Sequence, residues 1–454
     1  MRAAVAAPCC AVLCFAVLCF AAAPAWAAAP ASPSPDLSFP VVDTNQSQCY
    51  DDRGRAGCPD PGQPFYGQDA QHAGRAPQYR DNGDGTISDL VTGLTWQKEF
   101  RRVSFAGAAR DAAQSRVGGH ADWRVPAIKE LYSLMDFSGA TGSAGPSTTG
   151  APADAKPYID RRFFDFEYPA QGRFIDAQYV AATVYLGQTM GRDKAFFGVN
   201  FADGRIKAYP QDGGPGRRQW YGRWVRGNPA YGTNDFVDNR DGTVGDRATG
   251  LVWSKGDSGA PALRGQLTSA KLSDGRLDWG EALRFCQELK LGGKDDWRLP
   301  NAKELHSIVD YARAPDATGS AAIAPIFDIS SIRESDGSFN WPYFWTSTSH
   351  LDGRRPGDFA VYVAFGKAMG QLGGGQGMGP PGMGQPGMGQ PGMGQPGMGP
   401  GMGQPGMGLG MGFPPPPGLS GGDGRLTDVH GAGAQRSSPQ TPCSSTGPTR
   451  PRRT

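Results

Sequence analysis

Two phrases occur twice in this chain, in the same order. The first runs D-N-G-D-G-T-I-S-D-L-V-T-G-L-T-W from Asp81 to Trp96 and returns as D-N-R-D-G-T-V-G-D-R-A-T-G-L-V-W from Asp238 to Trp253. The second runs D-W-R-V-P-A-I-K-E-L from Asp122 to Leu131 and returns as D-W-R-L-P-N-A-K-E-L from Asp296 to Leu305. The period, 238 − 81 = 157 residues, is far beyond the roughly 20–50 residues of a solenoid repeat. It is the length of an independent globular unit. A length of 454 residues suggests about three domains. The duplication reduces that to two, plus non-globular material.

The segments around the two copies have distinct compositions. Residues 1–27 read as an export signal: Arg2, an apolar run from Cys9 to Ala23, and the A-x-A site Ala25-Trp26-Ala27. An uncleaved anchor is the competing reading, but the run is short for a bilayer span. Leu precedes Cys14 and Cys19, so neither has a lipobox. Residues 28–78 are rich in Pro, Gln and Gly and read as a linker or extended lead-in. Copy one is assigned to residues 79–227 and copy two to 233–370. Residues 371–420 form a disordered repeat dominated by Q-P-G-M-G. A five-residue period breaks collagen's every-third-Gly rule and favours repeated turns. Residues 421–454 are a remnant of copy two, recognisable in Asp428 to Arg436, followed by an irregular tail. Nothing there matches the closing Arg223-Trp224-Val225-Arg226 of copy one, so copy two is expected to lack its last strand or to complete it otherwise.

Within each copy the pattern is α+β: a short hairpin, two helices, then an antiparallel sheet. Asn82-Gly83-Asp84-Gly85 is turn chemistry. Ser104 caps a helix predicted over 105–114. Pro126 is placed in the first turn of a second helix. Asp278 to Glu281 and Asn301 to Glu304 form capping boxes in copy two. Strands are predicted over 179–185, 196–201, 344–346 and 359–365.

These phrases, with F-W-T-S-T at Phe344 to Thr348, resemble the C-terminal domain family of the Legionella collagen-like adhesin. The resemblance implies an exported or surface module of bacteria, with glycan-binding adhesion in the best-known member. The order of helices and sheet, with W-x-x-A-x-x-x-C at Trp279 to Cys286, is also similar to a C-type-lectin arrangement. In the family the helix cysteine pairs with one in a terminal V-R-C-V-R strand. Copy one has Ala112 and Trp224 at those places, and copy two keeps Cys286 without the strand. Cys286 is therefore expected to be unpaired, or paired only weakly with Cys443. Cys49 and Cys58 are close in sequence and suit a local disulfide, which export permits.

The chemistry-bearing residues point away from catalysis. Asp81, Asp84 and Asp89, with Asp238, Asp241 and Asp246, suggest calcium, but the EF-hand register puts Arg80 and Val91, or Val237 and Ala248, at its end positions. Hairpin turns whose Asp side chains bond their own backbone are the preferred reading. Trp123-Arg124 and Trp297-Arg298 offer a sugar platform or, more often for such residues, a helix start pinned into a core. Glu130 and Glu304 suit capping rather than acid catalysis. The five His are scattered, and no Ser/His/Asp set, Cys/His set or metal-ligand cluster repeats. No cofactor, metal or catalytic residue is predicted. A net charge of +2 supplies no bulk field for nucleic acid. Arg161, Arg162, Arg217, Arg218, Arg223 and Arg226 are the candidates for binding an acidic polysaccharide, set against an ordinary solvated surface. The sequence thus predicts an exported, non-catalytic binding or adhesion protein recognising acidic or sulfated glycans. An enzyme or enzyme-associated domain on a lectin-like scaffold is the alternative.

Overall fold

A computed structural model describes residues 37–371 and 426–440, apart from 53, 144, 146–147, 214–218, 268–272, 335–336, 353–354 and 356. The expected export signal, the Q-P-G-M-G tract, Arg217, Arg218 and Cys443 lie outside the described residues.

Copy one begins with β1 (Tyr79–Asp81), β2 (Thr86–Asp89) and β3 (Leu94–Gln97), then β4 (Arg101–Val103), α1 (Phe105–Gln114) and α2 (Ile128–Ser133). Its sheet follows as β5 (Gln178–Val184), β6 (Ala195–Asn200), β7 (Arg205–Pro210), β8 (Trp220–Gly222) and β9 (Val225–Gly227). Copy two repeats the plan with β10 (Phe236–Asp238), β11 (Thr243–Asp246), β12 (Leu251–Ser254), α3 (Trp279–Glu288) and α4 (Ala302–Ser307). Its sheet strands are β13 (Tyr343–His350), β14 (Phe359–Ala364) and β15 (Gln435–Pro439). The fold is mixed helix and sheet, with short helices and mostly antiparallel strands. No counterpart of β9 is found in copy two among the described residues, which stop at 440.

Both Asp-rich turns are built the same way. Asp81, Asp84 and Asp89 accept from the backbone N–H groups of Gly83, Thr86 and Val91 at 2.9, 3.0 and 3.0 Å. Asp238, Asp241 and Asp246 do the same for Arg240, Thr243 and Ala248 at 2.8, 3.0 and 3.1 Å. Local backbone donors thus occupy these carboxylates and fix the shape of each hairpin. The hairpins carry Trp96 and Trp253, both fully buried. Ser104 caps α1 by accepting from Gly107, and Asp278 and Glu281 close the box at α3. Pro126 falls just before α2 rather than in its first turn, because the chain is still extended at Ala127.

The two copies share one sheet. Its eight strands run β13-β14-β15-β7-β6-β5-β8-β4, and the third strands of the two copies, β15 and β7, meet antiparallel at Gln435 and Ile206. The helices meet on the same pseudo-twofold: Tyr132 of α2 and His306 of α4 hold equivalent motif positions and pack ring on ring, with centroids 4.4 Å apart. One apolar core runs through both copies, from Trp96 and Tyr179 to Trp253 and Phe344. Behind the seam, Arg205 sits between Asp203 and Asp352, and His350 bridges Ser437 at 2.8 Å and the Asp203 carbonyl at 2.9 Å.

The stretch before copy one is not a free spacer. Phe39 is buried in the common core, Thr44, Gln46 and Asp69 are buried polar residues, and Cys49 and Cys58 form the expected disulfide. Composition hid this, because the segment docks through hydrogen bonds rather than through a periodic apolar face. Of the two expectations for Cys286, unpaired or paired only weakly with Cys443, the first is corrected. It is disulfide-bonded, to a partner outside the described residues. In copy one, Ala112 and Trp224 lie in one apolar cluster, at the places where the resemblance implies two thiols.

Candidate functional site

Each D-W-R phrase crosses from extended chain into a six-residue helix. Trp123 and Trp297 are 3% and 4% exposed, and their indole N–H groups donate to the Val117 and Leu291 carbonyls, each at 3.1 Å. They pin the helix start into the core, so the sugar-platform reading fails on burial. Arg124 forks onto both oxygens of Glu130 at 2.5 and 2.6 Å, and Arg298 onto Glu304 at 2.7 and 2.8 Å. Each Glu also accepts from the N-cap N–H, of Ala127 or Asn301, at 2.8 Å. One carboxylate thus closes the cap and pairs the arginine. Burial alone would raise the Glu304 carboxyl; Arg298 and these hydrogen bonds outweigh it and hold it below its ordinary value.

A threonine from the neighbouring strand completes each helix start. Thr183 accepts from the Ile128 N–H at 3.0 Å, and Thr348 from the Ala302 N–H at 2.9 Å. A lysine then crosses the pseudo-twofold. Lys129 donates to the Gly232 carbonyl at 3.1 Å and to Asn234 at 2.9 Å; Lys303 donates to the Asp43 and Ser133 carbonyls, both at 2.9 Å. Burial pushes both ammonium groups down to about 8, against the opposing pull of Asp246 and Asp310 on Lys129 and of Asp136 and Asp43 on Lys303.

Around α2 these groups line an open cleft of about 570 Å³ between the copies. Its walls include Arg124, Lys129, Thr183, Tyr231, Asn234 and Tyr311. This volume lies in the range of roughly 300–1,000 Å³ typical of ligand pockets. The cleft was not legible in the sequence, because it exists only where α2, the connecting segment 228–235 and the end of α4 converge. The repeated K-E of the two phrases was the one signal that pointed there.

The four candidate arginines among the described residues, Arg161, Arg162, Arg223 and Arg226, do not form one surface. Arg161 and Arg162 are exposed, and Arg162 pairs with Asp160 at 2.7 Å. Arg226 is half-buried and pairs with Asp122 at 2.7 Å. Arg223 is corrected: it is fully buried and donates to the carbonyls of Gln97, Lys98 and Asp165. An arginine with no solvent exposure cannot meet a polysaccharide. Sequence reasoning passed over Arg101 and Arg102 on the sheet's outer strand β4, whose side chains are 47% and 37% exposed. Among the described residues no cluster of His, Cys, Asp and Glu is arranged to hold a metal ion, and no helix is long and apolar enough to cross a membrane.

The repeated hairpin, paired helices and shared sheet define a tandem α+β module. The Lcl C-terminal domain model matches twice, over residues 85–226 and 242–377. The chain therefore belongs to the Lcl C-terminal domain family, and its two units are adhesin-like domains of a bacterial surface family. No curated protein matches the chain, and no solved structure does.

Proposed function

We propose that this is an exported, non-catalytic adhesion protein that binds acidic or sulfated glycans on a lectin-like scaffold. The observation that carries this reading is the double match to an adhesin-derived domain. The exposed Arg161 and Arg162 supply the chemistry. Guanidinium groups match carboxylate and phosphate, and sulfate by the same geometry. The motif carboxylates support the non-catalytic part. Glu130 and Glu304 are both occupied by an arginine fork and a cap N–H.

The test is a glycan array probed with the full chain at low and raised salt. Binding to sulfated or uronic-acid glycans, absent for neutral ones and weakened by salt, is expected. Replacing Arg161 and Arg162 by Ala should weaken it. Failure to bind any acidic glycan at low salt refutes the reading.

A further inference from the structure

The equivalent of the open cleft in copy two is already filled, by the protein itself. Before copy one the chain makes an excursion, residues 44–74, that packs against β13. The connection before copy two has no such excursion. Equivalence of the two grooves follows from geometry. β5 breaks register between Val180 and Val184, and β13 between Trp345 and Ser349. Thr183 and Thr348 then cap the two helices identically.

In the filled groove the excursion makes two kinds of contact. The Gln46 side-chain amide donates to the Ser349 carbonyl and accepts from the Ser349 N–H, both at 2.8 Å, as a neighbouring strand would. The Asp69 carboxylate accepts from the Thr348 hydroxyl at 2.5 Å and the Thr44 hydroxyl at 2.7 Å. Thr346 through Ser349 are fully buried as a result.

In copy one the same groups are uncovered. Ala182 and Val184 are exposed and Thr183 is half-exposed. The Arg124 side chain is 39% exposed, where its twin Arg298 is 7%. Thr183 accepts from Ile128, yet its own proton meets no acceptor among the described residues. Tyr231 and Tyr311 line the opposite wall.

We infer that the copy-one cleft is a docking groove for an extended acidic segment of another polypeptide. An Asp or Glu of that segment accepts from Thr183, and its backbone or amide side chain lies along β5 at Val184. The filled groove identifies the occupant: an extended polypeptide whose carboxylate meets the capping threonine. Strand-edge docking with one specifying side chain is an established mode of peptide recognition. This site is separate from the arginine surface proposed for glycans.

The probe is a synthetic peptide of residues 42–75 of this chain, closed by its 49–58 disulfide and titrated calorimetrically into the full-length protein. Saturable binding is expected. Thr183→Val in the protein should weaken it about tenfold, the worth of one hydrogen bond to a charged group. Asp69→Asn in the peptide, which leaves the protein untouched, should weaken it by a similar factor. The two changes together should cost little more than either alone, because they break one contact. No binding, or binding indifferent to either substitution, overturns the proposal. So does Thr183-dependent binding of an oligo-uronate with none of the peptide, which would assign the cleft to glycans instead.

Discussion

Glu304→Gln and Glu130→Gln make the same chemical change at equivalent positions, yet the structure gives them different costs. A neutral amide in place of the Glu304 carboxylate would be too weak an acceptor to balance Arg298, whose side chain is 7% exposed and has little water to turn to. Two unit charges about 4 Å apart attract by about 4 kcal/mol at an effective dielectric of about 20. Stripping one partner from a buried pair costs about 3–5 kcal/mol, because the other stays buried and uncompensated. Arg124 is 39% exposed and can recover hydration, so Glu130→Gln should cost only about 1–2 kcal/mol. Urea denaturation of the full chain reads the difference as a gap in midpoints at constant m. The pH dependence sharpens it. The Glu304 carboxyl is depressed in the folded state, so its contribution is present above its unfolded value of about 4.3 and is lost as pH falls through the folded value. Glu304→Gln should therefore flatten the acid limb of the stability curve. Equal losses for the two variants, or the larger loss at Glu130, would refute the reasoning from exposure.

Two further outcomes are expected. Arg223→Met should cost about 3–5 kcal/mol in urea denaturation, since the Gln97, Lys98 and Asp165 carbonyls lose their donors, while acidic-glycan affinity per folded molecule stays unchanged. Asp69 is pushed up to about 7, chiefly by burial, against the Thr348 and Thr44 hydrogen bonds. A raised carboxyl contributes stability that is full below its unfolded value of about 3.9 and is lost as pH rises through about 7. Asp69→Asn should therefore remove a decline in melting temperature between pH 5 and pH 8, measured by thermal scans of both proteins.

What the sequence revealed and what it hid divide along physical lines. Asp-Gly turns, the Ser104 cap and the capping boxes of α3 and α4 are local, and each was readable from a few adjacent residues. The burial of Trp123 and Trp297 was also readable, because a large side chain at a helix start has few other uses. The union of the sheets at Gln435 and Ile206 was not, since a register between distant strands leaves no periodic mark. Arg223 misled because a guanidinium that feeds three carbonyls reads, as a letter, like one that faces solvent. The lead-in misled for the opposite reason. Gln46 and Asp69 dock it by polar contacts that composition assigns to loops. The cleft needed both copies in place before it had walls.

The position of β15 sets an order of assembly. This strand fills the gap between β14 and β7, yet its first residue lies 435 − 364 = 71 positions beyond the last residue of β14. Bringing such distant strands together costs entropy that grows only slowly with their separation, and contacts between sequence-distant residues slow folding. On the ribosome the strands of copy one are all in hand long before β15 emerges. Until then β14 and β7 each present an unfilled edge, the kind of surface that invites pairing with other chains. Production of this protein should accordingly depend on how promptly its last strand arrives.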